Sequence, residues 1–303
     1  MTFGQSARAA GRLLRSLSVL ACAAVLAACA PQTLLLRGVA DQLAGQGSAA
    51  EDDLVLAREA SAFYLKLSES VLAQTPGHMG LSEAVAGGFT QYAYAFVAFE
   101  ADRVEATSAR TAYALRLRAA RLYERARSHG MAALEHQHPG FAQALAAARP
   151  GAAAPRLAAD EVGVAYWTAA AWGGLISLSK DKPDVVADLP QAMRLARLAW
   201  DRDPDHGQGA LATLMASFEM ARPDGSRAQA EAYFERAIAA GGGRSAGPFV
   251  ARAETMALAA GDRPAFEALL RQALAVSASH PDLANAAMRE RAQWLLDTAD
   301  DRF

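Results

Sequence analysis

Two cysteines occur in the 303-residue chain, Cys22 and Cys29, and both lie within its first 29 residues. Cys29 ends the run Leu26-Ala27-Ala28-Cys29, the pattern in which a thiol takes a diacylglyceryl group before the chain is cut ahead of it. Cys22 sits too early in the apolar run, and Leu20 two residues before it is a poor fit to that pattern. After cleavage the body has no other thiol, as suits an oxidising compartment in which a lone unmodified cysteine would be a liability. Cys29 is therefore the expected lipidation site.

The remaining reactive residue types form no catalytic or metal constellation. The six histidines (78, 129, 136, 138, 206 and 280) mostly adjoin Pro or Gly at helix ends, and no His-Glu-x-x-His occurs. Glu135-His136-Gln137-His138 comes nearest to a zinc motif, but two histidines two apart on a helix point different ways. There is no Gly-x-Ser-x-Gly elbow and no Walker loop. Gly207-Gln208-Gly209-Ala210-Leu211-Ala212 matches a dinucleotide fingerprint formally, yet it follows a helical stretch where the phosphate cradle needs a strand. No enzyme activity, cofactor or metal is expected.

Aromatic side chains offer a different chemistry. Phe89, Tyr92, Tyr94, Phe96 and Phe99 crowd one helical stretch, and Tyr166, Trp167 and Trp172 crowd another beside Gly173-Gly174. Tyr92, Phe96 and Phe99 share one stripe, which reads first as core, while Tyr94 lies off it. Tyr and Trp join an apolar body to a polar tip and suit half-open grooves. The second reading is thus a groove for an apolar or amphipathic ligand, bordered by Tyr92, Tyr166, Trp167 and Trp172. Tyr166-Trp167 and Trp172 are five or six residues apart, so they cannot all face one space.

The elements that must carry these residues are helical. Residues 1–28 have the plan of a secretory signal: Arg8, Arg12 and Arg15, then an apolar run from Leu17 to Ala28. Removing them takes the formal charge from −2 to −5, without the basic clusters of a nucleic-acid binder. Ala30 after the lipidated cysteine favours the outer membrane over the inner one. Residues 29–50 form a tether and first helix, and 51–303 a single helical-repeat domain whose halves meet near 146–157. About a quarter of the residues are Ala, the best helix former. The apolar periodicity predicts helices over 33–44, 51–75, 80–105, 108–137, 161–179, 184–202, 207–221, 227–240, 247–260, 264–276 and 281–298. Ser226 with Gln229 reads as a capping box, and Pro183 and Pro264 as first-turn prolines. Ala230, Phe234 and Ala237 repeat as Phe266, Leu270 and Ala273, and earlier as Ala192, Ala196 and Ala199 followed by Pro204. Small–large–small at i, i+4 and i+7 marks the second helix of a tetratricopeptide hairpin, so the expected fold is all-α, tetratricopeptide-like hairpins stacked into a curved array.

Several stretches carry a family resemblance: Leu72-Ala73-Gln74-Thr75-Pro76-Gly77-His78, Ala120-Arg121-Leu122-Tyr123-Glu124-Arg125-Ala126-Arg127, Ala165-Tyr166-Trp167 with Trp172-Gly173-Gly174, Tyr233-Phe234-Glu235-Arg236-Ala237-Ile238, and Arg291-Ala292-Gln293-Trp294. In this order they resemble the T-component lipoproteins (TatT family) of tripartite ATP-independent periplasmic (TRAP) transporters. The chain departs at Ala212, where the family has a His, and at Asp224-Gly225-Ser226, where it has a Gly-Gly pair. The resemblance implies a periplasm-facing, non-catalytic accessory to solute uptake. It would pair with the substrate-binding P component, offer an apolar cavity, and form a ring-shaped homo-oligomer held to the membrane by its lipid. The competing expectation is a general tetratricopeptide-like scaffold for envelope assembly, and the third an envelope enzyme.

Overall fold

The computed structural model describes residues 36–45, 53–147 and 155–303, and among them every regular element is helical. Cys29, the signal segment and most of the predicted joint at 146–157 lie outside the described residues. The helices are α1 (36–45), α2 (Leu54–Leu72), α3 (Met79–Tyr92), α4 (Phe99–Val104), α5 (Ala109–Gln137), α6 (Phe141–Ala147) and α7 (Val162–Ser177). The second half holds α8 (Pro183–Val186), α9 (Leu189–Arg202), α10 (Ala210–Ala221), α11 (Arg227–Ala240), α12 (Gly247–Arg252), α13 (Arg263–Ser279) and α14 (Leu283–Asp297). Two π-helical segments, Ala93–Ala98 and Ala253–Ala257, join α3 to α4 and extend α12.

Side-chain caps set many of the starts. Asp53, His78, Ser108, Ser226, Asp262 and Asp282 each accept a backbone N–H of the turn that follows, satisfying donors a helix start leaves open. The capping box at Ser226 is half formed. Ser226 Oγ accepts from the Gln229 amide at 3.2 Å, but the Ser226 amide donates to Glu219 Oε1 of α10 at 2.7 Å. The predicted helix at 184–202 is divided, α8 ending before Asp188 and α9 restarting with Pro190 in its first turn. Residues 207–209 are left-handed turn, not helix, with φ of 63°, 53° and 92°. The apolar periodicity predicts no helix at α6, which is short and anchored by Phe141 and Leu145.

α7 is the central helix. It is apolar nearly all round, as a helix packed on every side should be, and α3, α5 and α9 lie against it. Glycines bring these neighbours close. A Cβ on Gly87 of α3 would lie 2.8 Å from the Trp167 ring, and one on Gly174 2.7 Å from the Tyr123 ring of α5. Gly130 and Gly173 similarly receive Thr168 and Phe218. Close packing thus accounts for the Gly173-Gly174 pair.

In the C-terminal half Ala192, Ala196, Ala199, Ala230, Phe234, Ala237, Phe266, Leu270 and Ala273 are all fully buried. Each helix from α9 to α14 packs on the next, while α7 also touches α10, α10 touches α12 and α12 touches α14. The last helix also contacts α2, so the two ends of the described body meet.

Candidate functional site

Where the ends meet, a half-open pocket of about 440 Å³ lies between α2, the α3–α4 stretch and α14. Its apolar wall is Val55, Tyr92, Phe96 and Phe99, and Arg58 and Arg103 stand at its polar rim. Glu59, Glu100 and Glu290 complete that rim. Tyr92 and Phe96 meet edge to face with centroids 5.5 Å apart, one helical turn from each other. Arg103 pairs loosely with Glu290 at 3.7 Å and covers the Phe99 ring at 5.6 Å. The site therefore joins an aromatic wall to a mouth of mixed charge.

A part-buried clasp ties the walls of the pocket together. The Arg291 guanidinium of α14 donates to Asp102 Oδ2 at 2.7 Å and to Glu254 Oε1 at 2.6 Å. It also lies 5.1 Å from the ring centroids of both Phe99 and Trp294, which contact each other edge to face at 5.6 Å. Burial works to depress the Arg291 pKa, but the charge of Glu254 and its hydrogen bonds to both carboxylates raise it well above its ordinary value. Its Nε is buried without a hydrogen-bond partner. Asp102 is shared with Arg116 at 3.2 Å, which also binds Glu105.

The two π-helical segments flank this clasp. An i+5 turn takes in one more residue than an α-turn, and such turns frequently sit at functional positions. Here Glu254 belongs to one such segment and Tyr94 to the other. Burial, reinforced by Glu254, raises the Tyr94 phenol well above its ordinary range, so it stays protonated beside the clasp. Tyr94, off the Tyr92–Phe96–Phe99 stripe, does not line the pocket, whereas those three do, and Phe99 also lies against Arg291.

The other aromatics lie elsewhere. Tyr166 and Trp167 are half-buried, with centroids 4.7 Å apart, and Tyr166 lies 5.4 Å from the His206 ring. Burial pushes the Tyr166 phenol up to about 12. Trp172 is buried, donates through Nε1 to Asp188 at 3.2 Å, and lies under the Arg127 guanidinium at 4.8 Å. Of the four groove residues expected from the sequence, only Tyr92 borders the pocket; Phe96 and Phe99 are its other aromatics. Gly207-Gln208-Gly209 follows α9, and Gly209 is there for close approach: a Cβ would lie 2.3 Å from the Ala237 carbonyl oxygen. No group of three or more metal-ligating side chains occurs among the described residues.

Residues 50–303 match the family described as TRAP transporter T-component. The chain belongs to that family. The T-component match spans every helix from α2 to α14 and so includes both the pocket and the clasp. A protein of Treponema pallidum (strain Nichols), described as uncharacterized, is 27% identical over 267 residues, covering 84% of this chain and 81% of the relative. Membership places the protein with the transporter system as an accessory component. No helix among the described residues is long and apolar enough to cross a membrane.

Proposed function

We propose that this T-component is a lipid-anchored envelope protein that pairs with the periplasmic substrate-binding P component and takes the apolar part of a ligand into the α2–α4–α14 pocket. The observation that carries the reading is the family match over 50–303, within which the aromatic pocket lies. Anchoring rests on the Leu26-Ala27-Ala28-Cys29 pattern, with the outer membrane as its destination. Stacking of tetratricopeptide-like hairpins is supported by the complete burial of the three small–large–small repeats and by contacts that link alternate helices α7, α10, α12 and α14. Assembly into a ring of copies belongs to the same reading.

The test uses tagged protein purified from detergent-solubilised envelopes. The P component should co-purify with it, and recovery of the protein alone refutes the pairing. For the pocket, the apolar fluorophore phenylnaphthylamine should bind the parent, and Phe96→Ala should weaken that binding while leaving the melting temperature nearly unchanged. Equal binding by parent and variant removes the pocket from the reading.

A further inference from the structure

We propose that the outer face of α2 rests on the bilayer that holds the lipid anchor, fixing the orientation of the body. The inference rests on the lipidation of Cys29 proposed above.

Nine large apolar side chains stand exposed among the described residues, and six of them fall between Val39 and Leu67. On α2, Val55 and Phe63 are each 69% exposed and Leu56 52%. A surface helix needs one apolar face, and α2 has two. Ala57, Leu65, Ser68 and Leu72 turn inward. Leu56, Ala60, Phe63 and Leu67, at i, i+4, i+7 and i+11, form a second stripe on the outside, with Tyr64 beside it. Val71 continues that stripe by one more turn and is buried, in the same apolar cluster as Ala40 and Leu43 of α1. Only this C-terminal end of the stripe is buried, and Leu56, Ala60, Phe63 and Leu67 stay exposed. A contiguous exposed apolar stripe of this kind marks an interaction surface.

The chain preceding α1 indicates what covers the rest. Leu36 follows Cys29 by seven residues, so an extended tether spans at most about 25 Å. α2, with 19 residues, is itself about 28 Å long. A lipid at Cys29 thus keeps α1 and α2 close to the bilayer, and at that effective concentration a face of modest affinity stays docked. Phe63, Tyr64 and the flanking leucines are the types that enter the interface between headgroups and acyl chains. Charge on these helices is balanced. Arg37, Arg58 and Lys66 stand against Asp41, Glu59 and Glu69, and Lys66 pairs with Glu69 at 2.5 Å. Attraction is therefore apolar, and anionic lipid should add little.

The test uses the full lipidated protein in phosphatidylcholine vesicles. With Cys29 acylated, Phe63→Cys or Leu56→Cys supplies the single thiol for an environment-sensitive nitrobenzoxadiazole label. Ala232→Cys, on the exposed side of α11, is the control. Labels at 63 and 56 should lose most of their intensity when the lipid carries an acyl-chain nitroxide, equally with and without phosphatidylglycerol, while the label at 232 keeps its intensity. Protein that floats with vesicles but shows no quenching at 63 and 56 overturns the inference alone. Labels shielded from both nitroxide and aqueous iodide mean that a protein covers the stripe, which also overturns it. Protein that carries no acyl group and does not float removes the anchor reading, and the inference falls with it.

Discussion

Replacing Arg291 by Met keeps the length of the side chain and removes the charge that closes the clasp. Asp102 retains Arg116, but Glu254 loses the one cation it pairs with at 2.6 Å and keeps a carboxylate only 24% exposed. Breaking a buried pair from one side costs about 3–5 kcal/mol. Partial exposure of both carboxylates lowers that range, whereas loss of the stacking on Phe99 and Trp294 adds about 0.5–1 kcal/mol for each ring. A net loss of about 2–4 kcal/mol is expected, read as a shift in the urea midpoint at neutral pH. Most of that loss is the stranded charge, so adding Glu254→Gln to Arg291→Met should recover more than half of it. A loss below about 1 kcal/mol, or no recovery in the double variant, refutes the account of the clasp.

Phe234→Ala should cost about 3–5 kcal/mol in the same assay, since Phe234 is fully buried between Ala230 and Ala237; a loss below about 1 kcal/mol means the repeat register is misassigned. Gly87→Ala places a methyl 2.8 Å from Trp167 and should destabilise by about 1–3 kcal/mol, visible as a lowered melting temperature. Burial opposes ionisation of Glu69, but Arg125, Lys66 and His129 together hold its pKa down at about 2. A depressed carboxylate stabilises above its unfolded pKa, so this contribution, about 1–2 kcal/mol after solvent screening, is lost between about pH 4.5 and 2. Glu69→Gln should flatten the stability profile across that window, and an unchanged slope refutes the assignment. Cys29→Ala should move the protein from the membrane to the soluble envelope fraction and abolish labelling by a fatty-acid analogue.

What the sequence makes legible here is local. The positions of Ala230, Phe234 and Ala237 are separated by whole helical turns, so their shared burial follows from helix geometry, and the α11 boundaries follow from Ser226 and the glycines after Ala240. The same reasoning finds the Tyr92–Phe96–Phe99 stripe but cannot say what faces it. That depends on Ala287 and Glu290 in α14, nearly two hundred residues away, and no local rule brings α14 back to α2. Tyr94 shows where the limit lies. Its position off the stripe is visible in the sequence, but the raised pKa of its phenol depends on burial and on the charge of Glu254, far along the chain. Tyr166, Trp167 and Trp172 meet different neighbours for a related reason. α7 is surrounded, so its aromatics face α3, the His206 turn and Asp188 in turn, and residues that stand together in the chain are divided among different neighbours. A central helix therefore says little about a site, while its edge helices, each with one face free, say more. α2 is the clearest case: its second apolar stripe is readable at i, i+4, i+7 and i+11, and only the burial of Val71 beside the exposure of Leu56, Phe63 and Leu67 shows how much of that stripe the body leaves bare.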